Sequence, residues 1–170
     1  MHHKPTVSST KFVRFHVPKD QALLAAFGEM SLRHEHMNYI LKMTIKTLAG
    51  ITLDQALAET KYKGSRQLRN RIKTLARKAL GNSAALLKLQ ALLRTSEALT
   101  EKRNNLVHGF CAKELDGDAR ISDAHGNERP LPTVGDLHAL AKEIESHTKR
   151  LNLERRQGFL AKALQKRNDA

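Results

Sequence analysis

The sequence predicts an all-α fold: a helical bundle of about four to five helices with a short loop or β-hairpin insert before the last one. Three observations predict it. Apolar residues are mostly Leu and Ala, with two Tyr, five Phe and no Trp, and Leu, Ala, Lys, Arg and Gln all favour helix. Long segments repeat apolar residues at alternating steps of three and four, the signature of one helical face. Capping residues and glycines fall where those segments begin and end. A chain of 170 residues is one domain by default and buries a core without covalent staples.

Residues 1–18 read as an N-terminal arm. Pro5 and Ser8-Ser9-Thr10 are loop chemistry, Phe12 to Val17 suits a short extended piece, and Pro18 suits the approach to a helix. The bundle spans 19–154. Its first helix reads from 19 to 49, with Leu23, Phe27, Met30, His34, Met37, Leu41, Thr44 and Leu48 in one row and Gly50 as its stop. Thr52 caps a short second helix running to about Glu59. Gly64-Ser65 opens a third, with Leu68, Ile72, Leu75 and Ala79 inward and Arg66, Arg69, Lys73 and Arg77 together on another face; Gly81-Asn82 ends it. Ser83 caps a fourth helix reaching about His108, whose row runs Leu89, Leu92, Ser96, Leu99, Arg103, Leu106. Phe110 to Leu115 and Ala119 to Ser122, joined across Asp116-Gly117, suit a hairpin. Thr133 caps the last helix, with Leu137, Leu140, Ile144, His147 and Leu151 inward. From 155 to 170 the chain reads as a basic tail that frays. Neither internal repeats nor low-complexity segments are visible.

The formal net charge is +13, which favours polyanionic partners through phosphate contacts. Thr60 to Ser96 contains no acidic residue and ten basic ones. Arg66, Arg69, Lys73 and Arg77 are therefore candidate nucleic-acid-binding residues. The single Cys111 cannot close an intrachain disulfide, which fits a reducing compartment, and a cytoplasmic location is the simplest expectation. No apolar run approaches the roughly 20 residues that span a bilayer, so no membrane role is expected. No CxxC or HExxH occurs and the carboxylates do not cluster. Asp116, Asp118 and Asp123 lack the spacing and closing Glu of a calcium loop. No metal and no cofactor is expected.

Glu101 to Phe110 is the stretch where chemistry concentrates. Arg103 stands in a row otherwise built for burial, where a guanidinium needs a partner. His108 follows and Gly109 suits a helix stop. Arginine braces phosphate two-pronged and stabilises charge developing there. Histidine moves a proton near neutrality, and asparagine orients either or binds a phosphate oxygen. Together these suffice to cleave RNA without metal, because the 2′-hydroxyl supplies the nucleophile. Arg103 and His108 lie about 140° apart around a straight helix. They act together only at a distorted helix end, on a substrate wrapping it, or across a two-fold dimer.

Arg103-Asn104-Asn105-Leu106-Val107-His108 resembles the hallmark of the HEPN family of small helical domains, an arginine, a polar residue and then a histidine at the end of a bundle helix. The likeness covers roughly residues 20 to 153. It implies a metal-independent endoribonuclease with Arg103, Asn104 and His108 as catalytic residues, acting on RNA as a homodimer with the site at the interface. Some members are toxins paired with an antitoxin, and others keep the fold and only bind. Two other readings compete: a non-catalytic RNA- or protein-binding module, and a DNA-binding regulator built on Leu53 to Ala58 and the basic helix Ser65 to Ile72. His34 and His147 are further candidates by position alone.

Overall fold

A computed structural model describes residues 13–15, 17–107, 110–114, 119–122 and 128–168. Among these the fold is an all-α bundle carrying a small antiparallel sheet. β1 (Val13–Phe15) precedes α1 (Gln21–Ala49), α2 (Leu53–Thr60), α3 (Ser65–Leu80) and α4 (Ala84–Val107). β2 (Phe110–Glu114), β3 (Ala119–Ser122) and β4 (Glu128–Pro130) follow, then α5 (Val134–Arg156) and α6 (Phe159–Asn168).

The helix limits follow from local chemistry. Asp20 accepts the amide N–H of Ala22 and Leu23 at the start of α1, and Gly50 ends it at φ +66°, a left-handed conformation that glycine adopts without penalty. Thr52 and Gln55 exchange bonds at the head of α2, as do Thr133 and Asp136 at the head of α5. The hairpin expected after Phe110 is β2 against β3, with Phe110 opposite Ser122 and Lys113 opposite Ala119. Two further strands widen it. β1, the extended piece of the arm, pairs with β2 on one edge, and β4 pairs with β3 on the other. Arg129 ties β4 to α4 by donating to the Asn105 carbonyl.

Two apolar clusters make up the core. One joins Leu41 and Ile45 of α1 to Ile72 of α3, Leu89 and Leu93 of α4, and Leu151 of α5. The other joins Met30 and Met37 of α1 to Leu99 of α4 and to Leu137 and Ile144 of α5. α1 and α5 pack against each other more extensively than any other pair of elements. The rows expected on both are buried: Leu23, Met30, His34, Met37, Leu41, Thr44 and Leu48 on α1, and Leu137, Leu140, Ile144, His147 and Leu151 on α5.

The C-terminal segment departs from expectation. A fraying basic tail is expected from 155, but 159–168 form α6. Leu160 is only 1% exposed, within the first cluster beside partly buried Phe159 and Leu164. Arg155 reaches back to α1 and donates to Thr47 Oγ1 at 3.2 Å, while also bonding Asn152 Oδ1. Gly158 permits the break between α5 and α6, since a Cβ there would collide with Glu154. The Glu154 carboxylate instead caps α6 by accepting the Phe159 N–H. The basic composition hid a short amphipathic helix. The bundle thus runs past 154, with six helices among the described residues.

Truncating a fully buried leucine leaves a cavity. Leu160→Ala is therefore expected to lower unfolding free energy by about 3 kcal/mol in urea denaturation. A loss below about 0.5 kcal/mol would mean that α6 does not contribute to the core.

Candidate functional site

α4 carries polar groups inside the bundle. Ser96 and Thr100, one helical turn apart, are both buried, and each meets an imidazole from another helix. Ser96 Oγ shares a 2.8 Å hydrogen bond with His147 Nε2 of α5. Thr100 Oγ1 lies 3.3 Å from His34 Nε2 of α1 and accepts from Arg69 Nη1 of α3 at 3.3 Å. The Thr100 hydroxyl hydrogen is committed to the Ser96 carbonyl at 2.7 Å. A hydroxyl has one hydrogen and two lone pairs. Arg69 fills one lone pair and His34 Nε2 lies against the other, while His34 Nδ1 faces Glu35 Oε1 at 3.6 Å.

His34, Arg69 and Thr100 line a cleft of about 680 Å³. α1 contributes His34, Glu35 and Asn38; the start of α3 contributes Gly64, Ser65, Arg66, Gln67 and Arg69; the end of α4 contributes Glu97, Thr100, Glu101, Arg103 and Asn104. Ser65 Oγ donates to Asn38 Oδ1 at 2.7 Å, pinning the head of α3 against α1. Gln67 accepts the Gly64 N–H.

Of the residues picked out in the sequence, Arg103, Asn104, Arg66 and Arg69 line this cleft together. Arg103 is half-buried and donates to Asn104 Oδ1 at 3.0 Å. Its Nε is buried without a hydrogen-bond partner, and among the described residues no carboxylate lies within ion-pair distance of it. Arg66 is exposed. Lys73 and Arg77 lie further along α3, away from the cleft. His108 falls outside the described residues, as do Asp116, Asp118 and Asp123.

Arg69 does not lie on an exposed basic face with Arg66, Lys73 and Arg77. It is 4% exposed and pairs with Glu97 Oε1 at 3.2 Å. Helical periodicity puts it beside Arg66 and Lys73, but the crossing of α4 over the first turns of α3 covers it. Arg71, within the basic helix Ser65 to Ile72 of the DNA-regulator reading, pairs with Glu59 Oε1 at 2.7 Å. Both of these arginines are thus paired with carboxylates, Arg69 in the interior and Arg71 at the surface. The cleft is mixed in charge, with Glu35, Glu97 and Glu101 beside the three arginines. Glu97 is matched by Arg69, leaving Arg66 and Arg103 as the cations without a carboxylate there.

Burial, Arg103 and Arg69 all push the His34 pKa down, while Glu35, whose Oε1 lies 3.6 Å from Nδ1, pulls it up; the net shift is downward. Burial, with help from Arg150, lowers His147 to about 4. Both rings are therefore neutral near pH 7. Among the described residues no group of three His, Cys, Asp or Glu side chains is placed to hold a metal ion, and no helix is long and apolar enough to cross a membrane. Sequence reasoning missed Thr100, Glu97 and Asn38. A signal for Thr100 existed: with Ser96 it makes a polar pair four apart on the inner side of α4.

No protein-family model, curated protein or solved structure matches this chain, so its own geometry carries the functional reading.

Two expectations test this account. Arg69→Ala should cost about 2–3 kcal/mol of stability, because it strands buried acceptors, while Lys73→Ala and Arg77→Ala stay within about 0.5 kcal/mol. Equal effects of the three in chemical denaturation would contradict the placement of Arg69. The unfolded chain protonates a histidine near 6.5, whereas folded His147 resists down to about 4. Its contribution is present above pH 6.5 and lost as pH falls toward 4, on the order of 3 kcal/mol. His147→Gln should flatten that part of the stability–pH curve; an unchanged slope would refute the neutral buried ring.

Proposed function

We propose that the protein is a metal-independent endoribonuclease of HEPN type, with the cleft among α1, α3 and α4 as its RNA site. One observation carries this reading. Arg103 and Asn104, the described members of the motif, open into a cleft that also receives Arg66 and Arg69. Arg103 has no carboxylate partner among the described residues. A half-buried guanidinium without a counter-ion is a ready site for a phosphate.

In this reading Arg103 grips the scissile phosphate and stabilises the charge that builds on its oxygens. Asn104 holds the guanidinium in place through its Oδ1. The neighbouring ribose 2′-hydroxyl attacks phosphorus, and His108 moves a proton at the reacting oxygens. Arg66, exposed at the mouth, contacts the flanking backbone. The net charge of +13 draws the polyanion in. A homodimer with the cleft at its interface, and restraint by an antitoxin, belong to the same proposal.

Incubation with single-stranded RNA in EDTA should yield fragments ending in 2′,3′-cyclic phosphate. Arg103→Ala and His108→Ala should each lower kcat by at least about 10²-fold with helical circular dichroism unchanged. Salt-dependent RNA binding without turnover would establish the non-catalytic module instead. Alanine variants that cut as fast as the wild type would remove the site.

A further inference from the structure

Tyr62 contributes little to the core of the bundle. It lies in the turn 61–64 between α2 and α3 and is 86% exposed, the most exposed large apolar side chain among the described residues. A ring so placed removes almost no area from water and adds almost nothing to folding. The backbone beneath it is nonetheless braced. The Lys63 N–H donates to the Thr60 carbonyl at 3.1 Å. Thr60 is fully buried and its hydroxyl donates to the Ala56 carbonyl, and Gln67 takes the Gly64 N–H. A fixed turn thus holds an aromatic ring out in water.

The ring stands among cations. Lys61 Nζ lies over one face, 5.1 Å from the ring centre, and at this exposure the opposite face is open. Neither Lys61 nor Arg66 has a carboxylate within ion-pair distance among the described residues. Glu59, just before the turn, is taken up by Arg71 at 2.7 Å and Lys63 at 3.9 Å, and Thr60 to Ser96 contains no acidic residue. The cleft begins close by. Gly64, Ser65 and Arg66 line it, and the Cα atoms of Tyr62 and Gly64 lie within about 7.6 Å of each other. An open π face flanked by unpaired cations fits a partner that carries both aromatic rings and phosphates. A single nucleic-acid strand has both within reach, whereas a duplex stacks its bases on one another.

We propose that Tyr62 is a stacking platform for an unpaired base of the RNA strand that enters the cleft, with Lys61 and Arg66 on the adjoining phosphates. This rests on RNA as the ligand of the cleft, and not on its being cut. It gives the cleft a preference for unpaired strands with little preference for sequence, because every base has a π face.

The test is binding by the full chain of a single-stranded RNA that is 2′-O-methylated throughout and so has no 2′-hydroxyl to attack its own backbone. The chain has two tyrosines and no tryptophan. Tyr39→Phe therefore leaves Tyr62 as the sole tyrosine, and its fluorescence should be quenched as the strand binds. Tyr62→Ala and Tyr62→Leu should each raise Kd at least about fivefold, while Tyr62→Phe stays within about twofold. Tyr62→Ala should leave the slope of log Kd against log salt unchanged, since stacking releases no counterion, whereas Arg66→Ala should reduce it by about one. Affinity for an RNA duplex should not respond to Tyr62→Ala. Wild-type affinity in Tyr62→Ala or in Tyr62→Leu overturns the proposal, and so does an equal loss on the duplex. Binding that depends on Tyr62 while unmodified RNA stays intact supports the platform and removes the endoribonuclease reading. Failure of the wild type to bind the strand overturns the platform, and cutting of unmodified RNA then decides the endoribonuclease reading separately.

Discussion

One hydroxyl organises the polar interior of this bundle. Thr100 Oγ1 gives its only hydrogen to the Ser96 carbonyl and receives Arg69 from α3, and its remaining lone pair faces His34 of α1. Three helices are tied to one oxygen whose capacity is then full. The burial of Arg69 goes with it, and so does the position of its carboxylate partner Glu97. A methyl group in place of that hydroxyl would strand two donors in the interior, where each unmade bond costs about 1–3 kcal/mol.

α4 repeats the device one turn earlier. Ser96 binds His147 of α5, so two adjacent turns of one helix hold two imidazoles, one from α5 and one from α1. On α4 and α5, Ser96 and His147 fall between Leu93 and Leu99 and between Ile144 and Leu151, members of the two apolar clusters. Partnered polar groups at such a boundary specify which helices meet and at what register. The two pairs differ in place: His147 takes no part in the cleft of α1, α3 and α4, whereas His34 lines it. Packing and cleft therefore share residues, Thr100, His34 and Arg69.

The helical rows were legible because burial on α1, α4 and α5 follows strict steps of three and four. The caps at Thr52 and Thr133 were legible because their side chains leave few alternatives. Arg103 was legible as a cation in an apolar row, and it does stand half-buried without a carboxylate among the described residues. Arg69 was not. Its place on α3 follows from helical periodicity, but what covers it is α4, and crossing geometry is not written in local spacing. α6 escaped notice because Leu160 and Leu164 sit among lysines and arginines that dominate the composition. The contact of His34 with Thr100 joins residues 66 apart, which no short sequence window contains.

The functional account joins these threads. A bundle of net charge +13 places Arg103, Asn104, Arg66 and Arg69 around one cleft, with a fixed neutral imidazole in its wall. In the proposed reading Arg103 holds the phosphodiester and a 2′-hydroxyl attacks it. The most direct test is to find an RNA bond that the protein cuts and remake the strand with a single 2′-O-methyl group on the nucleotide 5′ to that bond. The account predicts that cutting there stops while cuts elsewhere continue. Cleavage of the methylated bond, or of an all-DNA strand of the same sequence, would contradict it.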